Sequence, residues 1–242
     1  MSAQLQLFDA REHDRWTVRI SRKARRLSVR VYPGGRVEVV APPGASAGAV
    51  QRFVGAHRQW IDRRVADLST AGGVAEDVRP AVIDLAAIGR RYRVHYQAAP
   101  ERALRVAAAE GELVVSGPVH DERAVAAALR EWLMQAATPA LSRALASTAA
   151  DGDFRYARMQ LRRQRTRWGS CSASGTISLN VCIAFLPPAV LRYLLFHELA
   201  HTRHMNHSKR FWALVESHEP DYRRLDRELV NGWRRVPAWV FG

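Results

Sequence analysis

Between Trp16 and Val40 apolar and polar residues alternate in short runs, with Leu27, Val29 and Val31 in one run, Val37 and Val39 in the next, and Pro33, Gly34 and Gly35 between them. A period of two broken by turn residues predicts a β-hairpin. Past Pro42, Pro43 and Gly44 the period lengthens, and Val50, Phe53, Val54, Trp60, Ile61 and Val65 recur at helical spacing behind Ser46, a residue suited to cap a helix. Gly72 to Pro80 reads as a linker. Alternation then returns at Tyr92, Val94 and Tyr96, and Leu113 to Val115 forms another short apolar run before Gly117 and Pro118.

After His120 the pattern turns helical. Asp121 to Thr148 is rich in Ala and Leu and predicts a long helix with a break near Pro139, because proline removes a donor and crowds the preceding turn. Short strands are expected over Tyr156–Leu161 and Thr176–Leu179, a helix opened by Pro187 and Pro188 and running to about His204, and further helices over Ser208–Glu216 and Tyr222–Leu229. The expected class is α+β: a β-rich N-terminal part with one helix over residues 1–119, then a helix-rich domain with a short sheet over residues 120–242.

The helix expected after Pro188 carries His197-Glu198-Leu199-Ala200-His201. Four residues of helix place the two imidazoles one above the other on one face, so both reach a single ion. Glu198 is turned away from that line yet adjacent to it, where a carboxylate can take a proton from metal-activated water. The surrounding Leu194, Leu195, Phe196, Leu199 and Ala200 are apolar and predict a dry setting. Zn²⁺ is the expected ion, and a structural zinc alone would leave Glu198 without a role.

A catalytic zinc takes three protein ligands, so one more is needed. His204 continues the helix face, but three histidines at i, i+4 and i+7 spread over about 10 Å of axis, too far for easy tetrahedral closure. His207 lies past Asn206, a residue able to end a helix and turn the chain back, and is the first choice. Glu216 on the next helix is the alternative.

Composition narrows the setting. A chain of 242 residues, 48% hydrophobic, can bury a sizeable core. Met1 to Arg15 lacks the apolar core of a secretion signal, and no later stretch has the uncharged length of a membrane span, so a cytoplasmic location and no membrane partner are expected. Cys171 and Cys182 form no CxxC or disulfide framework and are expected as buried free thiols. The formal charge of +14 attracts polyanions, which makes nucleic acid a candidate partner beside a plain solvated arginine surface.

The sequence resembles the YgjP-like group of zinc-dependent metallopeptidases, relatives of the SprT-like and minigluzincin proteins. The resemblance rests on Arg167-Trp168-Gly169-Ser170-Cys171-Ser172, on Gly175 to Asn180, on Pro187-Pro188, and above all on His197 through Trp212, and it continues through Pro220-Asp221-Tyr222-Arg223. It implies a zincin-like catalytic domain, a peptide or protein substrate, Zn²⁺, and His207 as the ligand that completes the site. Some descriptions of the group instead suggest nucleotide pyrophosphatase activity, and SprT-like relatives act on DNA-attached proteins, which would give the positive charge a purpose. A pyrophosphatase would need hard oxygen ligands for Mg²⁺, and the motif offers histidines instead.

Three further expectations follow. Tyr222, in the recurrent Pro-Asp-Tyr of the group, is the candidate donor to a developing oxyanion. Gly175 to Asn180 is the candidate strand to pair with an extended substrate. Arg155, Arg158, Arg162, Arg163, Arg165 and Arg167 lead into the RWGSC segment, and strand alternation would put Arg158 and Arg162 on one face and Arg163, Arg165 and Arg167 on the other.

Overall fold

A computed structural model describes residues 16–32, 35–69 and 79–241, with the side chains of residues 67–69 excepted. The chain divides into two compact units, residues 1–74 and 75–242. In the first, strands β1 (Trp16–Ile20), β2 (Ser28–Val31) and β3 (Val37–Ala41) form a sheet in the order β1-β3-β2. β2 and β3 are the expected antiparallel pair, and β1 adds in parallel on the other side of β3. Helix α1 (Ala47–Ser69) starts where Ser46 Oγ accepts the Ala49 N–H at 3.2 Å. Val50, Val54 and Ile61 of that helix bury against Val37, Val39 and Ala41. Trp60, expected on this apolar face, is instead 49% exposed, since one residue of helix rotates it about 100° from Ile61. Pro33, Gly34 and most of the expected linker, residues 72–78, lie outside the described residues.

The second unit opens with β4 (Val82–Leu85), β5 (Arg90–Ala98), β6 (Arg105–Ala109) and β7 (Glu112–Gly117), a sheet in the order β4-β5-β7-β6. It packs on α2 (Glu122–Asp151), where the Tyr92 and Trp132 rings meet edge to face with centroids 5.0 Å apart. This packing keeps the sheet with the helices, and the division drawn by composition at residues 119/120 falls inside the unit. Asp121 caps α2 by accepting the Ala124 N–H at 3.0 Å. The helix passes through Pro139 unbroken, because Pro139 and Gln135 both sit on its exposed face, where water can take the carbonyl that proline leaves unbonded.

A third sheet, in the order β8-β10-β9, joins β8 (Arg158–Arg162), β9 (Gly169–Cys171) and β10 (Thr176–Asn180). Asn180 buries its side chain where β10 ends and satisfies it fully, donating to the Gln164 and Arg167 carbonyls at 2.8 Å each and accepting from Cys182 N at 3.2 Å. Helices α3 (Pro188–Ala200), α4 (Lys209–His218) and α5 (Tyr222–Asn231) complete the α+β architecture. The core of this unit is the apolar run Val181–Leu186 with Val190, Leu191, Tyr193–Phe196, Leu199 and Ala200, all buried. Among the described residues no helix is long and apolar enough to cross a membrane.

Candidate metal centre

Helix α3 stops at Ala200, short of the expected His204, because the chain turns there: His204 N donates to the Ala200 carbonyl at 2.9 Å and Thr202 Oγ1 to the Leu199 carbonyl at 2.7 Å. The turn carries the chain back to Ser208, whose Oγ accepts the Phe211 N–H at 3.4 Å and starts α4. His207 is thereby returned to the helix face from which the chain left.

The result is a cluster of His197, His201 and His207 whose ligand atoms all lie within 4.8 Å of one another. His197 and His207 bring their Nε2 atoms to 3.2 Å, close to the spacing of about 3.4 Å that tetrahedral ligands at zinc distances would have. Phe211, fully buried, lies beneath the cluster and stacks on His201 with centroids 4.5 Å apart, while Trp212 stacks on His207 at 5.6 Å. Burial holds His197 at about 3, with the neighbouring His201 and His207 adding to the effect, so its ring is neutral.

The partners of the other ring nitrogens decide which atoms are free to bind. The His201 Nδ1–H donates to the His204 carbonyl at 3.1 Å, which leaves the Nε2 lone pair of His201 available. Tyr193, buried one turn before His197, donates its hydroxyl to Asp226 Oδ1 at 2.8 Å and offers its oxygen to His197 Nδ1 at 3.3 Å. Burial first and Asp226 second push the Tyr193 hydroxyl upward, so it stays a donor to the carboxylate. His197 therefore donates from Nδ1 and keeps a lone pair on Nε2. The relay Asp226–Tyr193–His197 was not anticipated from the sequence; Tyr193 is four residues before His197, a spacing that signals contact on a helix, but Asp226 comes from another element.

Glu198 faces the third sheet. The residue is 4% exposed, and its Oε2 is buried with no hydrogen-bond partner among the described residues. Burial pushes it up to about 8, against the opposing charge of Arg167. A buried carboxyl with an unused oxygen, beside three imidazole nitrogens, fits a site built for a metal ion and its water. Space for it comes from Gly169, since a Cβ there would lie 2.4 Å from Glu198 Oε1. The nearby Cys171 thiol is pushed upward by burial and by Glu198, and Cys182 is buried and pushed up to about 12, so neither is poised as a nucleophile.

The other candidates fall as follows. His204 contributes its carbonyl to the site, and Glu216 is exposed on α4, outside the histidine cluster. Tyr222 is buried and stacks on Trp212 at 5.3 Å, with Trp212 in turn stacked on His207, and its hydroxyl accepts from Arg223 Nε at 3.1 Å. It stands one aromatic ring away from the histidines. Gly175 to Asn180 does not have the edge expected of a substrate-pairing strand, because β10 is central, with β8 on one side and β9 on the other. Among the described residues, the strand next to α3 whose outer edge pairs with no other strand is β9.

The sequence model of the YgjP-like metallopeptidase domain matches residues 25–231. No curated protein matches the chain. Among solved structures, the metallopeptidase zymogen abylysin of Pyrococcus abyssi shares 22% identity over 40% of this chain and 99% of its own, with a TM-score of 0.36, too low to carry an argument.

Proposed function

From a chain that belongs to the YgjP-like metallopeptidase family, we propose a zinc-dependent peptidase in which His197, His201 and His207 hold the ion and Glu198 is the general base. The observation that carries this reading is the convergence of three imidazoles, two with Nε2 freed by hydrogen bonds at Nδ1, next to a buried carboxyl whose Oε2 has no partner. Zinc bound there would lower the pKa of a coordinated water toward about 7 and polarise a carbonyl. Nitrogen donors suit that ion better than the Mg²⁺ of a pyrophosphatase.

The residues of the chain supply the rest. Glu198, raised by burial toward neutrality and lowered again by any nearby cation, can accept the proton of the attacking water and return it to the leaving nitrogen. The edge of β9 offers backbone donors and acceptors to an extended peptide, which would lie alongside Gly169 and thus beside Glu198. Tyr222 remains the candidate for stabilising the oxyanion, its ring stacked on Trp212, which in turn stacks on His207.

Elemental analysis and digestion of a peptide library with and without chelator test the reading. One zinc per chain and chelator-sensitive cleavage are expected, with Glu198→Gln keeping the metal and losing at least about a hundredfold in turnover. Undiminished cleavage by Glu198→Gln, or by chelated protein, would refute it.

A further inference from the structure

The β8-β10-β9 sheet has two unlike faces. In register across it run Leu161, Leu179 and Gly169, and beside them Met159, Ile177 and Cys171; Ile177 and Leu179 are buried, and Gly169 lies against Glu198. The intervening row, Gln160, Ser178 and Ser170, points to the opposite face. There a cavity of about 470 Å³ is lined by Arg158, Arg162 and Arg167 together with hydroxyls such as Ser170, Thr176 and Ser178, with Cys171 at its edge and no carboxylate among the described residues of the lining. Arg158 Nε reaches Thr176 Oγ1 at 3.4 Å and Arg162 Nη2 reaches Gln160 Oε1 at 2.6 Å, so among the described residues these two exposed side chains bond to neutral groups, while the charge of Arg167 acts on Glu198.

We propose that this face is the subsite of the peptidase for acidic side chains, so that the enzyme prefers Asp- or Glu-rich segments of polypeptide. The inference rests on the peptidase reading, which makes β9 the strand that pairs with substrate. A peptide added to β9 turns alternate side chains to the two faces of the sheet. One set meets the face of Gly169 and Glu198, where the bond is cut, and the other points into the cavity, whose lining runs from Ser170 on β9 across Thr176 and Ser178 on β10 to Arg158 and Arg162 on β8. Their guanidinium groups give bidentate donors matched to carboxylates, and the hydroxyls supply further donors. The same charge could draw nucleic acid, but among the described residues the cavity lining has no aromatic side chain on which bases of a single strand would stack. It also lies on the sheet whose other face borders the catalytic carboxyl, which is where a substrate side chain must go and a remote polyanion need not.

The test uses full-length zinc-loaded protein and two peptides that differ only in Glu against Gln at alternate positions. Cleavage of the Gln peptide by wild type checks the peptidase reading, and the ratio of kcat/KM for the two peptides checks the subsite. A ratio of about ten in favour of the Glu peptide is expected at low salt, falling toward one in Arg158→Gln with Arg162→Gln and at high salt. Circular dichroism and zinc content confirm that the double variant is folded. Equal rates for the two peptides, or a preference that survives the double substitution, would overturn the subsite and leave the peptidase intact. If neither peptide is cut, anisotropy of the two labelled peptides decides it by the same ratio. Competition by a single-stranded oligonucleotide that binds through the same two arginines more tightly than the Glu peptide would reassign the face to nucleic acid.

Discussion

The backbone of Gly169 lies against the side chain of Glu198, so closely that a Cβ on that residue would sit 2.4 Å from Oε1 and 2.8 Å from the carboxyl carbon. Glycine is needed here for space rather than for an unusual backbone angle, since Gly169 lies in a strand. The strand that would hold substrate and the carboxyl that would act on it are thereby in direct contact.

Gly169→Ala should therefore fold and keep its metal while turning poorly over. The added methyl must push Glu198 aside by more than half an ångström, and displacements of about 1 Å at a catalytic group cost on the order of a hundredfold in rate. Kinetics alongside metal content measure this. A variant with wild-type kcat/KM would show that Glu198 does not act where it stands.

Tyr193→Phe removes the hydroxyl between His197 and Asp226 and leaves the buried ring in place. His197 is then free to change tautomer or rotate, and zinc affinity should fall by about tenfold, within the usual range for lost outer partners of a ligand. Asp226→Asn should cost less, because an amide oxygen can still accept from Tyr193. Titration against a competing chelator distinguishes these, and equal affinities in all three proteins would make the relay irrelevant to the metal.

For the third ligand, His207→Ala should weaken zinc binding by orders of magnitude, whereas Glu216→Ala should leave it nearly unchanged. His204→Ala should also have little effect, since His204 takes part through its backbone carbonyl. A loss of metal in Glu216→Ala with retention in His207→Ala would exchange the two assignments.

Glu198 also makes stability depend on pH in the metal-free protein. Its folded value, about 8, is raised above the ordinary 4.5, so the contribution is fully present below pH of about 4.5 and is lost as pH rises through about 8. Chelated Glu198→Gln should therefore exceed chelated wild type in Tm at pH 9, by a margin that shrinks at pH 5. Differential scanning calorimetry at the two values checks the sign, and a margin independent of pH would show that the carboxyl is not desolvated as described.

Local spacing settled those features of this chain that depend on only a few residues. His197 and His201 share a face because a helix repeats every 3.6 residues, and Ser46 marks a helix start because its hydroxyl serves an amide three residues on. His207 is picked out by the expectation of a helix end near Asn206, whereas the helix ends at Ala200 and the turn over residues 201–203 is what brings His207 beside His197 and His201. Packing between distant segments decided the rest. Tyr193 and Asp226 lie 33 residues apart, and nothing in either neighbourhood foretells their contact. Gly175–Asn180 and Gly169–Cys171 both read as strand, but which one is central and which has the open edge follows from how β8 adds to the sheet. Alternation also separated Arg167 from Arg158 and Arg162, yet β8 ends at Arg162 and the chain turns, so Arg167 comes back to their face. Arg165 instead turns to the carbonyl of Phe241. A period of two holds only while the strand lasts, and where a strand ends is fixed by its neighbours in space.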